Sequence, residues 1–166
     1  TYRVFYERAG LWWYSIGCTG SAFKRDVLER VGGFSHRFRV ANEDGYISLA
    51  IRRAGYRLRF NPGAANYHLE RTTWGALWRK YYWWGYYYRT LRLSYPGERA
   101  LNPYRFLPPL AFASGVRSAL TIVSRYRDLR GALAYPFAYT FARAAWCWGY
   151  LSNRLDAAKP LRGGAA

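Results

Sequence analysis

Two acidic residues, Glu43 and Asp44, stand side by side in a strongly basic chain that has 26 Lys or Arg residues but only 9 Asp or Glu. Asn42 before them and the apolar pattern after them place the pair in the first turn of a helix. A carboxylate there is favoured by the free amides and the helix dipole, so Asp44 could have a purely structural role. The alternative is catalytic. The dipole would keep Asp44 ionised as a general base, the helix start would aim it rigidly, and Glu43 would orient it or contact the substrate.

A shorter helix precedes the pair. Residues 17 to 34 predict a strand, a turn and a helix, with Asp26 as its cap and Glu29 in capping-box register. Gly32 and Gly33 end this helix, because glycine accepts the left-handed conformation of a helix C-terminus.

Strands are expected on the other side of the pair. The helix that Asn42 caps should end at Gly55, and residues 56 to 60 then alternate apolar and basic side chains, which predicts a half-buried strand. Residues 66 to 70 suit a short edge strand. Strands that alternate with helices predict an α/β fold for the first part of the chain.

A long aromatic helix comes next. Thr72 or Thr73 can cap a helix that runs from Trp74 to about Leu93 and is crowded with Trp and Tyr residues. Most of these rings would form a core face and a membrane-interface belt. A Pro-rich connector follows, after which the pattern is helical, so we place a domain boundary near residue 95, between residues 1 to 95 and residues 96 to 166.

The tail predicts two apolar helices studded with Arg, over residues 106 to 126 and 132 to 154. Arg117 and Arg143 lie inside these segments, and a charge in mid-segment is costly in hydrocarbon, so we interpret them as interfacial, membrane-associated helices. The alternative is a helical pair packed on the rest of the protein with Arg as solvated surface. Residues 157 to 166 are expected to fray.

The composition limits the partners. With 51% hydrophobic and 20% aromatic residues the chain is too apolar for a disordered segment, and its net charge of +17 favours anionic partners such as nucleic acid, acidic lipid or a phosphorylated ligand. No nucleic-acid-binding motif appears, and the aromatic residues cluster in one helix. Cys18 and Cys147 are too few for a disulfide framework or a zinc site and are expected to be buried thiols. The start at Thr1, without a Met anywhere, suggests a piece of something longer.

Two segments resemble a known family. "GSAFKRDVLERVGGF" and "NEDGYISLAIRRAGYRLRFNPGAANYHLERTTW" are similar to the C-terminal half of the catalytic domain of family 2 glycosyltransferases, which are inverting, nucleotide-sugar-dependent enzymes of the GT-A fold. A helix ending in Gly-Gly-Phe, a Glu-Asp pair opening a helix, a Gly-Tyr strand, a Pro turn and a His-bearing strand appear in the family's order. The resemblance covers roughly residues 15 to 90.

The resemblance implies an acceptor side of the site. Asp44 matches the general base that deprotonates the acceptor hydroxyl as it attacks the anomeric carbon, and Glu43 matches its partner acid. The loop beside the acceptor corresponds to Gly32, Gly33 and Phe34.

The resemblance also implies a donor side. Gly20 and Ser21 fall where the family approaches the donor sugar, although a plain turn fits Gly20 equally well. His68 matches a histidine that in some members binds the metal or the donor diphosphate. Arg79 and Lys80 could neutralise the diphosphate, where charge builds in the transition state.

Other features depart from the family pattern. Arg79 and Tyr82 replace the Gln and Arg of the Gln-x-x-Arg-Trp signature of processive members, which favours transfer of a single sugar, and the Trp and Tyr rings suit stacking on sugars. The family implies a divalent metal, Mg or Mn, but the chain has no Asp-x-Asp. We therefore expect the acceptor-side portion of a longer transferase, with little activity alone.

The implied partners are a nucleotide-sugar donor, a lipid-linked or saccharide acceptor and an anionic membrane, at the cytoplasmic face of the cell membrane. Two other functions stay open at this point. One is a non-catalytic membrane-surface module or degenerate transferase, and the other, less favoured, is a basic nucleic-acid-binding protein.

Overall fold

The structure is a computed structural model, and it describes residues 12–13, 15–59, 61, 73–98, 101, 103 and 107–154. The predicted edge strand over residues 66 to 70, His68, Thr72 and the C-terminal residues 157 to 166 lie outside these ranges. The elements in the described part are β1 (Trp12–Trp13), α1 (Arg25–Arg30), α2 (Glu43–Arg53), β2 (Leu58–Arg59), α3 (Trp74–Ser94), α4 (Pro108–Tyr126) and α5 (Leu129–Ser152).

The described part is mainly helical, which corrects the expectation of an α/β domain with several strands. Its sheet consists of β1 and β2, which pair antiparallel with Trp13 opposite Leu58. The prediction for residues 56 to 60 is confirmed in its middle, since Leu58 is buried and Arg59 is exposed. The strand predicted at the start of residues 17 to 34 was wrong, because residues 18 to 20 form a turn, which the Ser21 N–H closes by donating to the Cys18 carbonyl at 3.3 Å.

Helix α1 begins differently from its prediction. Its N-cap is Lys24, which makes no side-chain capping bond, and Asp26 lies inside the first turn. The capping box was therefore wrong. Glu29 instead accepts a hydrogen bond from Arg25 Nε at 2.8 Å, an exposed pair one turn apart that contributes little to stability.

Glycines end both helices of this region, as predicted. Gly32 and Gly33 have φ of +79° and +67°, and the Gly33 N–H donates to the Leu28 carbonyl at 2.9 Å. Gly55 has φ +86° after α2. These residues take the left-handed conformation that satisfies the last carbonyls of a helix.

The described residues form two compact units, one up to residue 61 and one from residue 73 onward. Helix α3 belongs to the same unit as the C-terminal helices. The boundary predicted from the sequence lay near residue 95, after α3. The core of the first unit lies where α2 covers α1 and β2, and it consists of Val27, Ile47, Ile51 and Leu58. This core fixes α2, and with it the acidic pair.

The second unit is built around α5. Helix α3 starts where predicted, because the Thr73 Oγ1 accepts from the Ala76 N–H at 3.3 Å. The rings of Trp78 and Phe141 lie 5.1 Å apart and those of Tyr88 and Trp146 also 5.1 Å apart, so α3 runs parallel to α5. The predicted aromatic core face is thus a contact between these two helices.

The two tail helices that the sequence predicted are confirmed as α4 and α5, and they form an antiparallel hairpin. Arg127, with φ 52°, and Asp128 make the turn, and Asp128 Oδ1 accepts from the Gly131 N–H at 2.8 Å. The rings of Phe112 and Phe137 lie 5.7 Å apart across the two helices. No helix in the described ranges combines the length and the apolar character that crossing a membrane requires.

Candidate functional site

Glu43 and Asp44 open α2, as predicted. The N-cap Asn42 has a left-handed backbone, with φ 62° and ψ 14°, and its side chain makes no capping bond. Its carbonyl accepts the first helical hydrogen bond, from the Tyr46 N–H at 3.0 Å. The left-handed turn at Asn42 sets the direction in which the side chains of Glu43 and Asp44 project from the backbone.

The Asp44 carboxylate lies beside the segment that leads into α1. Its Oδ1 accepts from the Gly45 N–H at 2.6 Å. On the other side, a Cβ built on Gly17 would stand 3.9 Å from Asp44 Oδ2. The carboxylate is therefore half-buried between the start of its own helix and the backbone at Gly17.

This setting raises the pKa of Asp44 above its ordinary value of 3.8. Burial is the largest cause, and the neighbouring Glu43 adds to it, while the Gly45 N–H bond opposes them. The helix dipole was expected to keep Asp44 ionised. Desolvation and the like charge of Glu43 nevertheless outweigh the amides and set the direction of its pKa shift. A carboxylate with a raised pKa binds an incoming proton more tightly and is the better base.

Cys18 lies close enough to Asp44 and Glu43 to be affected by their charges. Burial and the charges of Asp44 and Glu43 raise the pKa of its half-buried thiol to about 11. The thiol is consequently protonated at neutral pH, and it is a small, weakly polar group beside the two acids. From the sequence, Cys18 was expected only to be a buried thiol, because nothing in its spacing to residue 44 indicates that the two are close. Cys18 and Cys147 are both free thiols.

Ser48 links the backbone next to Gly17 to α2, a role that was not predicted from the sequence. It is fully buried, its Oγ accepts from the Ile16 N–H at 3.1 Å, and its hydroxyl lies 3.4 Å from the Ile16 carbonyl, to which it donates. The available signal was a serine on the apolar face of the helix, four positions after Asp44.

The two residues assigned to the donor side, Gly20 and Ser21, form a tight turn directly after Gly17. Gly20 has φ 72°, the Ser21 N–H donates to the Cys18 carbonyl at 3.3 Å, and the Ser21 hydroxyl donates to the Gly17 carbonyl. The fold thus brings the Gly17–Ser21 turn next to Asp44. A donor contact by Gly20 and Ser21 stays a prediction.

The residues assigned to the acceptor side lie in the loop between α1 and α2. Phe34 is 45% exposed and meets the ring of Phe23 edge-on, at 5.9 Å between centroids. The loop is anchored further along by buried Phe38, whose ring stacks on Tyr46 of α2 at 5.2 Å. Gly32, Gly33 and Phe34 keep their acceptor role as a prediction.

Comparison with known proteins gives the chain its family. The model of glycosyl transferase family 21 matches residues 14 to 151, which include every element from α1 to the last turns of α5. The chain belongs to glycosyl transferase family 21. This family is part of the GT-A superfamily and is related to family 2. The resemblance is thereby confirmed as far as a glycosyltransferase, and membership of family 2 itself is not.

One curated relative is the "Probable glycosyltransferase YdaM" of Bacillus subtilis (strain 168), which is 30% identical over 77 residues. The alignment covers 44% of this chain and 18% of the relative, so the chain spans less than a fifth of that protein. No solved structure matches the chain significantly.

The remaining predicted residues of this family 21 chain lie elsewhere. Arg79 and Lys80 are on α3, in the second unit; Arg79 is exposed, and Lys80 Nζ stands 5.3 Å over the ring of Trp84. His68 is outside the described residues. His36 is exposed, in the loop between α1 and α2.

The GT-A superfamily implies a divalent metal. Within the described ranges, no three His, Cys, Asp or Glu side chains approach closely enough to hold an ion. The cluster of Glu43, Asp44 and Cys18 also offers a thiol that is protonated, which does not suit Mg²⁺ or Mn²⁺. The described residues therefore do not fit a divalent metal.

Proposed function

We propose that this chain is the acceptor-side part of an inverting glycosyltransferase in which Asp44 is the general base. One observation carries the proposal. The Asp44 carboxylate is half-buried at the start of α2 beside Gly17, where burial and the charge of Glu43 raise its pKa, in a chain that belongs to a glycosyltransferase family. Perturbed carboxyl groups of this kind cluster at functional sites.

In the proposed step a hydroxyl of the acceptor attacks the anomeric carbon of the donor sugar. The new bond joins the acceptor oxygen to that carbon, and the bond from the carbon to the diphosphate oxygen breaks on the opposite face. The nucleoside diphosphate leaves with the bonding pair, so the configuration inverts. Asp44 takes the hydroxyl proton as the acceptor oxygen loses its lone pair to the new bond.

Each neighbour of Asp44 has a role in this proposal. Glu43 raises the proton affinity of the base through its charge, and the Gly45 N–H holds Oδ1 in place. Gly17 leaves the space over Oδ2 free of a side chain. Transfer of a single sugar is favoured by the altered processive signature, in which Arg79 and Tyr82 replace Gln and Arg.

The test uses the protein expressed from its complete gene, with a panel of nucleotide sugars and release of nucleoside diphosphate as the readout. Asp44→Asn keeps the shape and the acceptor atom for Gly45 but cannot take a proton, so the rate should fall by roughly a hundredfold or more. Asp26→Asn, at an exposed first-turn acid of α1, is the matched control and should leave the rate unchanged. A rate for Asp44→Asn within a few-fold of wild type would remove the base assignment.

We further propose that the protein works at the cytoplasmic face of the membrane and that the turn end of the α4–α5 hairpin contacts anionic lipid. Large apolar side chains are exposed there, between 41% and 69%, and they are Leu120, Val123, Tyr126, Leu129 and Leu133. Exposed Arg125, Arg127 and Arg130 are interspersed with them. Apolar side chains among Arg suit a surface where the former enter the headgroup boundary and the latter meet phosphate.

The same surface fits a non-catalytic membrane module, and the two functions differ in one measurement. A module binds anionic vesicles without nucleotide-sugar turnover by the complete gene product, whereas a transferase does both. Family membership favours the transferase over a nucleic-acid-binding protein, for which a steep fall of affinity with salt would be required.

A further inference from the structure

The side chain of Ser48 bonds both backbone groups of one distant residue. Its Oγ accepts from the Ile16 N–H and its hydroxyl donates to the Ile16 carbonyl, across 32 positions of sequence. Ser48 is 0% exposed, on a helix face whose other inward residues, Ile47 and Ile51, are apolar. A buried hydroxyl costs free energy unless it is bonded, so this position is built for the contact with Ile16.

Ser48 and Asp44 are one turn apart on α2, and residues four apart share a helix face. Ile16 is the residue before Gly17, and Gly17 is the residue over which Asp44 Oδ2 lies. One face of α2 therefore carries both Asp44 and Ser48, and Ser48 holds the backbone segment that covers Asp44. With an apolar residue at position 48, both groups of Ile16 would lose this partner.

We propose that Ser48 is a positioning residue, whose hydroxyl holds the Ile16–Cys18 backbone against the Asp44 carboxylate and so maintains the half-buried setting of the base. The proposal rests on the base role proposed for Asp44 but concerns a different residue and a different measurement. Ser48 itself does not touch the reacting atoms.

Cys18 supplies a readout that needs no turnover. Its thiol pKa of about 11 depends on burial and on the charges of Asp44 and Glu43, so it reports how closely residues 16 to 18 lie on α2. In the full chain carrying Cys147→Ser, so that one thiol remains, Ser48→Ala should lower this pKa toward the ordinary 9.0. Each unit of that fall increases the thiolate fraction at mildly alkaline pH roughly tenfold, which is measured as alkylation rate against pH.

Two further variants separate positioning from general destabilisation. Ile47→Val trims the fully buried neighbour of Ser48 without touching the Ile16 bonds and should leave the Cys18 pKa near its wild-type value. Ser48→Thr keeps the hydroxyl and should restore the pKa that Ser48→Ala lowers. Circular dichroism and the urea midpoint confirm that each variant is folded under the titration conditions.

The proposal is overturned if Ser48→Ala leaves the Cys18 pKa unchanged, or if Ile47→Val lowers it as much. In the complete gene product, Ser48→Ala should also move the acid limb of the kcat/KM profile to lower pH, since a more hydrated Asp44 is a stronger acid. The thiol titration stands even if Asp44→Asn proves active. In that case the base role of Asp44 is refuted, but the Cys18 titration still shows whether Ser48 positions residues 16 to 18.

Discussion

Gly85 of α3 and Trp146 of α5 meet backbone to backbone. A Cβ on Gly85 would overlap the Trp146 carbonyl oxygen and stand 2.7 Å from its carbonyl carbon. Three residues further along α5, a Cβ on Gly149 would in the same way overlap the Tyr82 carbonyl oxygen. The two glycines allow the helix backbones to touch, and the aromatic rings of α3 fill the space on either side.

Replacing either glycine should therefore unfold the second unit. Gly85→Ala and Gly149→Ala each force the helices apart, and we expect a loss of roughly 3 kcal/mol or more in the free energy of unfolding, the range of severe core lesions. Urea denaturation followed by circular dichroism measures it.

Gly75 is the matched control on the same helix. Nothing lies within 4 Å of a Cβ at this position, so Gly75→Ala should stabilise the chain. The gain is about 0.5–1 kcal/mol, because alanine is the better helix former. Equal effects at Gly75 and Gly85 would contradict the close approach.

Asp44→Asn should increase stability while it removes activity. The folded pKa of Asp44 is raised above 3.8, so the folded state holds this proton more tightly than the unfolded state. The stability that this proton contributes is present at acid pH and is lost as the pH rises from 3.8 through the folded pKa. The variant, which stays neutral, should gain over wild type toward neutral pH and match it in acid.

Urea midpoints of wild type and Asp44→Asn at several pH values measure this difference. A variant less stable than wild type at neutral pH would mean that Asp44 serves mainly as a stabilising first-turn acid.

Asn42 should tolerate glycine but not valine. Its φ of 62° is left-handed, and glycine enters that region without cost, whereas a β-branched residue does not. Both variants lose the Asn42 side chain, so their difference isolates the backbone, and we expect Asn42→Val to be about 1–2 kcal/mol less stable than Asn42→Gly. Thermal unfolding distinguishes them, and equal melting temperatures would mean that the turn before Glu43 relaxes.

Leu129 and Leu133 should control binding to anionic vesicles. They are 62% and 66% exposed, and burying one leucine at the interface contributes on the order of 1.5 kcal/mol, about tenfold in affinity. Leu129→Ser and Leu133→Ser should each weaken flotation with vesicles of mixed phosphatidylserine and phosphatidylcholine.

Leu151, 61% exposed near the far end of α5, provides the control. A helix of 24 residues is about 36 Å long, so Leu151→Ser should leave vesicle binding unchanged if the hairpin turn makes the contact. The same loss at Leu151 and Leu129 would refute a contact confined to that end.

Much of the local structure followed from the sequence. Thr73 begins α3, glycines end α1 and α2, and Glu43 and Asp44 open α2, because caps and left-handed turns depend on a few adjacent residues. The cap of α1 was the exception: Asp26 entered the first turn and Lys24 took the end position. A capping signal places a helix end only to within a residue or two.

The sequence by itself predicted the helix that Glu43 and Asp44 open, and the family that its motifs resemble was confirmed at the level of a glycosyltransferase. The tertiary structure alone decided that Gly17 and Cys18 lie beside Asp44, that Ser48 bonds the Ile16 backbone, that burial raises the pKa of Asp44, and that α3 packs along α5. These outcomes depend on contacts between residues 26 or more positions apart, and hydrophobic periodicity and spacing report only neighbours on one helix or strand.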